Sequence, residues 1–194
     1  MLIGHVSSLH LHPEEKGGPV KGGAMIDVTK MTLVEGKGIL GNTRYFEKKT
    51  RSGHPSPRQV SIIDRSMIQY HANRVGDSDC LPAGAIRSNI ETTLETKLWE
   101  SKKVHDGEIP YCPYSESIGD QFQIGDTAII ELTLTRTPCW EMDVIKSGLQ
   151  QSMKGDTQGC LAKIIKSGVI NLRDPVYRLL NTPKVNPNPN SKID

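Results

Sequence analysis

The chain has 194 residues, with 24 lysines and arginines against 22 acidic residues and a net charge of +2 at pH 7. This charge is too small to indicate a nucleic-acid-binding protein, and no apolar run approaches the roughly 20 residues that span a bilayer. No C-x-x-C pair occurs, which excludes a zinc ribbon or a thioredoxin-type site, and the lack of a secretory signal predicts a soluble, cytoplasmic protein.

The first half of the chain reads as strands separated by glycine and proline turns. The strands predicted there cover residues 1–11, 25–34 and 58–64. Glycines predict a tightly folded loop over 36–45, and the polar, basic stretch 46–57 predicts an exposed loop. A short helix follows in "DRSMIQYHANRV", with Asp64 or Ser66 as its N-cap.

The second half begins with turns over 80–92 that lead into a strand, followed by an irregular stretch over 97–118. The stretch "FQIGDTAIIELTLTRTPC" (122–139) reads as the clearest strand. One face of this strand is predicted to carry Ala128, Ile130, Leu132 and Leu134. Apolar residues at helical spacing predict a helix over 141–153, and "GCLAKIIKSGVINLRDPVYRL" predicts three further strands.

Many short strands and only two modest helices predict a mainly β protein, a closed or partly open β-barrel. The chain has no βαβ alternation and no phosphate-loop or dinucleotide glycine motif, which argues against nucleotide-binding folds. We interpret residues 1–180 as one domain and the proline- and asparagine-rich residues 181–194 as a disordered tail.

Cys139 has the most informative context of the four cysteines. Pro138 has no N–H to donate, so the strand ends there and the thiol falls where the strand leaves the sheet. Arg136 favours a thiolate, which is the form needed for a nucleophile or for a ligand of a soft metal. A buried, unreactive cysteine is the alternative, and a nucleophile would need a base from a distant histidine.

Arg87 and Asn89 form a second candidate pair, in "GAIRSNIET". In an extended stretch residues two apart face the same side, so the guanidinium and the amide are predicted to project together. Such a pair suits a phosphate or the polar edge of a heterocycle. The alternative is a surface arginine beside a turn-capping asparagine, and Gly84 just before them permits a close approach.

Two further segments are candidate anion sites, because backbone N–H groups and cations together can cradle an anion. One is the glycine loop 36–41 with Arg44, and the other is Lys21 beside two glycines. The alternative for the loop is a hairpin connection with solvated charges. His10 and His12 would share a strand face and could hold a metal, but no third ligand lies nearby in sequence.

Taken in order, these segments resemble the MOSC domain, the module named for the C-terminal part of molybdenum cofactor sulfurases. The matching motifs are "GKGILGN" (36–42), "RQVSIID" (58–64), "PAGAIRSNIET" (82–92), "FQIGDTAIIELTLTRTPC" (122–139) and "GCLAKIIKSGVI" (159–170). The resemblance covers nearly the whole chain except the tail, with no aminotransferase-like sulfurase domain attached. It implies a β-rich barrel.

The resemblance places the family's invariant cysteine at Cys139, which is a metal ligand in molybdenum-dependent relatives. Arg87 and Asn89 match an Arg-x-Asn pair that holds the pterin and its phosphate in related reductases. The cofactor-binding set that the resemblance implies is completed by Arg44, Lys21 and Arg136.

The glycine loop departs from the family pattern. Family members commonly have Gly-Asp followed by a histidine, whereas this chain has Gly41-Asn42-Thr43-Arg44. The missing acid and histidine put a metal-binding or proton-transfer role of this loop in doubt.

The resemblance implies a molybdenum-cofactor-binding oxidoreductase that reduces N-hydroxylated compounds, with molybdopterin as cofactor. Because the chain has no iron–sulfur cysteine spacing and no flavin motif, redox partner proteins would have to supply the electrons. Two alternatives are a sulfur carrier with a persulfide on Cys139 and a non-catalytic cofactor-binding module. Pyridoxal phosphate is linked to the family through the sulfurase domain, and no lysine here has a convincing Schiff-base context.

Overall fold

The computed structural model describes most of the chain. The described residues are 1–13, 24–42, 45–77, 79, 81–95, 114, 117–155 and 157–179, with the backbone of 102–104 and 107–109. Two predicted cofactor-binding residues, Lys21 and Arg44, lie outside them, and so does the predicted tail 181–194.

The described part of the chain contains strands of two to ten residues and three short helices. The strands are β1 (Leu2–Leu11), β2 (Ile26–Val28), β3 (Lys30–Val34), β4 (Gly38–Ile39), β5 (Val60–Asp64), β6 (Ile90–Leu94), β7 (Lys102–Val104), β8 (Gly107–Ile109), β9 (Gln121–Ile124), β10 (Ala128–Thr135), β11 (Cys160–Lys166), β12 (Gly168–Asn171) and β13 (Pro175–Leu179). The helices are α1 (Arg65–Arg74), α2 (Glu141–Ile145) and α3 (Leu149–Ser152).

Seven strands close into a barrel in the order β13, β9, β10, β11, β5, β6 and β1, and β1 pairs with β13 to complete the ring. Neighbouring strands are antiparallel except β5 and β6, which are parallel. β2 pairs with the last part of β1, and β12, β3 and β4 form a separate small sheet. The predicted fold class, a mainly β barrel with a few short helices, is confirmed. Closure pairs every barrel strand on both sides, which removes free sheet edges.

The barrel encloses the larger of two apolar clusters, which is built from alternate residues of its strands. Representative fully buried members are Ile3, Val6, Ile62, Ile124 and Ile130. A second cluster lies between the three helices and the outer face of β5. Its members include Ile63, Met67, Ile68, Leu149 and Met153. Burial of both sets from water stabilises the helices against the barrel.

The stretch 122–139 is a hairpin, not a single strand. Gly125 has a φ of +61°, and a Cβ there would lie 2.5 Å from Asp174 Oδ2, so glycine is favoured at this turn. Ala128, Ile130 and Leu132 are buried as predicted, but Leu134 is 40% exposed. The register between β10 and β11 shifts between Leu132 and Leu134, so the alternation ends at a bulge.

The predicted helix over 141–153 is divided into α2 and α3. Lys146 adopts an extended conformation and Gly148 is left-handed, so the main chain cannot continue as one helix. Within 97–118, predicted as irregular, β7 and β8 form an antiparallel pair. In the described residues, no helix is both long and apolar enough to cross a bilayer.

Helix α1 begins where the sequence predicts. Asp64 is its N-cap, and its carboxylate accepts a hydrogen bond from the backbone N–H of Ser66 at 2.9 Å. The same carboxylate accepts from the N–H of Leu94 at 2.9 Å, which ties the start of the helix to the end of β6. Burial raises the pKa of Asp64 above its usual value, although these hydrogen bonds lower it in part.

His71 joins α1 to the segments around α3. Its Nε2 donates to the carbonyl of Thr157 at 3.2 Å, so its Nδ1 accepts from the hydroxyl of Ser152 at 2.9 Å. Burial lowers the pKa of His71 to about 4, and the Arg74 charge lowers it further. His71 is therefore neutral in the native protein at pH 7.

We expect His71 to make the native state acid-sensitive. Between pH 6.5 and about 4 the unfolded chain protonates this imidazole and the native state does not, so stability falls as pH falls. The shift corresponds to about 3 kcal/mol over that window. Urea unfolding should therefore show that the difference in free energy of unfolding between the wild type and His71→Gln becomes smaller as the pH falls. The raised pKa of Asp64 makes stability rise as pH falls, but Asp64 is present in both proteins and its effect cancels in the comparison. Parallel pH profiles of the free energy of unfolding would therefore contradict the prediction.

Candidate functional site

A cavity of about 270 Å³ lies where β10 and β11 meet the segments that precede β5 and β6. Its walls come from segments far apart in the chain, which barrel closure brings together. The residues that line it are His12, Tyr45, Arg58, Ser61, Arg87, Thr135, Arg136, Thr137, Cys139, Met142, Gln158 and Leu161.

Cys139 lies in the loop between β10 and α2, with its side chain exposed to solvent. Its carbonyl accepts a hydrogen bond from the N–H of Met142 at 3.0 Å, which starts α2 immediately after the thiol. The neighbouring Trp140 is 57% exposed. The alternative of a buried cysteine therefore does not apply to Cys139, whereas Cys160, in the barrel core, is buried.

Arg87 also lines the cavity, but not from an extended stretch. Its φ is +59°, and its backbone N–H donates to the carbonyl of Gly84 at 2.9 Å, so it ends a tight turn. The side chain is 6% exposed, and Nη1 lies 3.6 Å from Oε2 of Glu141. The prediction that Arg87 and Asn89 project together from an extended segment is wrong, because period-two alternation requires extended backbone at both residues.

Asn89 is fully buried behind the cavity wall. Its Oδ1 accepts from the N–H of Ser61 at 3.2 Å and from its hydroxyl at 2.9 Å, and its Nδ2 donates to the carbonyl of His10 at 3.1 Å. Asn89 thus links β5 to β1 and sets the position of Ser61, which does line the cavity. Any effect of Asn89 on a ligand would pass through Ser61.

Arg136 lines the cavity and also holds the turn that presents Arg87. Its Nη2 donates to the carbonyl of Ile86 at 3.0 Å and to that of Arg87 at 3.4 Å. Its backbone N–H donates to the carbonyl of Gly159 at 2.9 Å. Much of the hydrogen-bonding capacity of this guanidinium is therefore used within the protein.

A buried polar network supports the same turn from below. Glu91, which is 0% exposed, accepts hydrogen bonds from the N–H of Gly84 at 2.8 Å, the hydroxyl of Ser8 at 2.9 Å and Nη1 of Arg65 at 3.0 Å. The ring of His10 lies so close to Gly84 that a Cβ there would be 2.9 Å from Nδ1. The close approach predicted at Gly84 is therefore made by His10.

His12 lines the cavity, whereas His10 bonds to Asp27 at 2.8 Å beneath the turn. The backbone N–H of His12 donates to Oδ1 of Asn42 at 2.9 Å, and its ring packs edge-on against Tyr45 at 5.8 Å. The glycine loop thus holds the segment that carries His12. In the described part of the chain, no three His, Cys, Asp or Glu side chains cluster to hold a metal ion.

Electrostatics favour an anion in this cavity. Three arginines line it, namely Arg58, Arg87 and Arg136, and no carboxylate is among the described lining residues. Concentrated positive charge attracts anions. Three of the lining residues, Arg58, Tyr45 and Gln158, were not predicted as site residues, because their positions in sequence do not indicate that they meet.

The closed seven-stranded barrel defines this chain as a β-barrel protein, and its arginine-rich cavity includes an exposed cysteine. Solved structures with the same fold include the YuaD protein from Bacillus subtilis, at a TM-score of 0.64 and 13% identity over 90% of this chain and 94% of that one.

YiiM from Escherichia coli is similar at a TM-score of 0.56 and 17% identity, over 92% of this chain and 71% of that one. YiiM from Geobacillus stearothermophilus is similar at a TM-score of 0.58 and 12% identity, over 90% and 74% of the two chains. No protein-family model matches the chain, and neither does any curated protein sequence. At these identities the likeness establishes a shared fold.

Proposed function

We propose that this protein binds a molybdenum–pterin cofactor through Cys139 and acts as an oxidoreductase on N-hydroxylated compounds, with electrons from separate redox proteins. The observation that carries the proposal is the exposed thiol of Cys139 in the same cavity as three arginines. The MOSC-like motifs and the fold shared with YiiM support the same class of protein.

The chemistry of the cavity fits such a group. A thiolate is a good ligand for a soft metal, and guanidinium groups bind phosphate in a planar, two-point geometry. The cavity volume of about 270 Å³ lies just below the roughly 300 Å³ at which small-molecule sites begin. The described cavity is therefore large enough for part of a pterin cofactor rather than for the whole molecule.

Each residue has a distinct role in this proposal. Cys139 would ligate the metal, Arg87 would bind the phosphate, and Arg136 would hold the Arg87 turn through the carbonyls described above. Asn89 would act through Ser61. The bound cofactor would supply the two-electron redox chemistry, while the protein supplies ligation, orientation and positive charge. Roles of Arg44 and Lys21 at the phosphate stay predictions.

The direct test is the metal content of the full-length protein. Purified from a host that makes the cofactor, the protein should carry about one molybdenum per folded chain, measured by inductively coupled plasma mass spectrometry. The control is the same protein from a host that cannot make the cofactor, which should be folded but free of molybdenum. A folded protein that lacks molybdenum when isolated from both hosts would refute the proposal.

Sulfur handling is the second candidate, and the exposure of Cys139 favours it as well. A persulfide is more acidic than a thiol, so the three arginines would stabilise its anion. In that case the isolated protein should carry a persulfide on Cys139, detected by mass spectrometry of the cysteine peptide, and no molybdenum. The two candidates therefore predict opposite results in the same sample.

A further inference from the structure

Of the three arginines that line the cavity, Arg58 has the guanidinium with the fewest interactions within the described part of the protein. Arg87 lies 3.6 Å from Glu141, and Arg136 donates to main-chain carbonyls. Arg58 is exposed at the cavity rim, and its guanidinium forms no ion pair or hydrogen bond with any described residue. A guanidinium that lines a cavity in this way is available to bind an anion from solution.

The backbone around Arg58 is anchored, so the side chain starts from a defined position. The backbone N–H of Arg58 donates a hydrogen bond to the hydroxyl oxygen of Ser56 at 3.1 Å. The preceding carbonyl, that of Pro57, accepts from the hydroxyl of Thr133 on β10 at 2.8 Å. This segment is therefore fastened to the barrel wall next to the cavity.

Gln158 is the second cavity residue with a polar group that has no partner among the described residues. It lines the cavity although it is only 2% exposed, and its Nε2 donates to the sulfur of Met142 at 3.2 Å. Its Oε1 is buried and has no hydrogen-bond partner among the described residues. Buried polar atoms are normally paired, so an orphaned acceptor in a cavity wall is open to a donor from a bound ligand.

The main chain also holds Gln158 in place. The next residue, Gly159, has a φ of +82°, and a Cβ there would lie 2.4 Å from the carbonyl oxygen of Ile62. This close packing against β5 requires glycine and fixes the segment. Arg136 Nη1 donates to the carbonyl of Gln158 at 3.5 Å from the other side. The orphaned acceptor is therefore part of a rigid wall.

We propose that Arg58 and Gln158 determine which ligand this cavity accepts: one that carries an anionic group for Arg58 and an N–H donor for Oε1 of Gln158. The ligand class is an anion that also carries an N–H donor. This inference rests on the proposed function for the location of the site, and it adds two specificity residues and a required donor–anion pattern.

The exposed Cys139 provides a reporter, because a ligand in the cavity should slow its alkylation. The full-length protein is treated with iodoacetamide, and modification of each cysteine peptide is followed by mass spectrometry, with the buried Cys160 as internal control. The two probes are sulfate, an anion that accepts hydrogen bonds but cannot donate at neutral pH, and pterin-6-carboxylate, an anion with N–H donors. Both should protect Cys139, and pterin-6-carboxylate should do so at lower concentration.

The variants separate the two roles. Arg58→Gln should weaken protection by both probes about tenfold, and Arg58→Lys should restore part of it. Gln158→Met should weaken protection by pterin-6-carboxylate about three- to tenfold and leave sulfate unchanged. Arg51→Gln, an exposed arginine outside the cavity, is the matched control and should change neither. Thermal unfolding confirms that each variant is folded.

Equal protection in wild type, Arg58→Gln and Gln158→Met would overturn this inference, and so would the absence of protection by either probe. Molybdenum content distinguishes its failure from that of the proposed function. Wild-type protein that carries molybdenum but shows no such selectivity would retain the function and lose the inference. If the protein shows the predicted selectivity but never binds molybdenum, the inference about Arg58 and Gln158 is retained and the proposed function is refuted.

Discussion

Cys139→Ser is expected to lower the molybdenum content by more than about tenfold, because it removes the proposed metal ligand itself. A serine hydroxyl remains protonated at neutral pH and offers a hard oxygen in place of a soft thiolate. Since Cys139 is exposed, the free energy of unfolding should change by no more than about 0.5 kcal/mol. Metal analysis and urea unfolding of the same preparation measure both effects.

Cys160→Ala is the matched control for this prediction. Cys160 is 0% exposed in the barrel core, so its truncation should reduce stability by about 1 kcal/mol and leave the molybdenum content per folded chain unchanged. Comparing the two variants thus distinguishes a loss of metal binding from a loss of stability. Retention of full molybdenum content in Cys139→Ser would show that the metal is held elsewhere.

Glu91→Gln is expected to lower the free energy of unfolding at neutral pH by about 3 kcal/mol. The substitution removes the carboxylate that accepts from Arg65, Ser8 and Gly84 in a fully buried site. It also turns an amide NH₂ towards donors that need an acceptor. Because Gly84 belongs to the turn that presents Arg87, protection of Cys139 by sulfate should weaken as well.

Glu131→Gln provides the comparison at a partly exposed pair. Glu131 lies 2.7 Å from Nζ of Lys163, whose side chain is 41% exposed, so its loss should cost less than about 1 kcal/mol. Urea unfolding of both variants at neutral pH measures the difference. Similar losses in the two variants would contradict a supporting role for the buried network.

The local features of the fold were predictable because they depend on residues close in sequence. Strand-like runs bounded by turn residues located β1, β5 and β11, and Asp64 was among the N-caps expected for α1. The hairpin within 122–139 was missed because apolar residues continue through both strands, which hides the turn at Gly125. The helix break at Lys146 was missed because buried residues on both sides keep helical spacing.

The candidate site was predictable only in part. Pro138 located the end of the strand, and Cys139 does lie beyond it with an exposed side chain. The Arg87–Asn89 pair was misplaced because Arg87 is left-handed, which nothing in its local sequence requires. Asn89 instead bonds to Ser61, a residue 28 positions away, as spacing alone could not show.

The amino-acid sequence by itself determined the strand-rich barrel class, the helix start at Asp64 and the position of Cys139 after a strand, because backbone preference and side-chain periodicity act over a few residues. Only the tertiary structure decided that Arg58 and Gln158 share a cavity with Cys139. Pairing of β5 with β11 and of β10 with β11 joins segments about 100 and 30 residues apart, and such contacts depend on the closed ring as a whole.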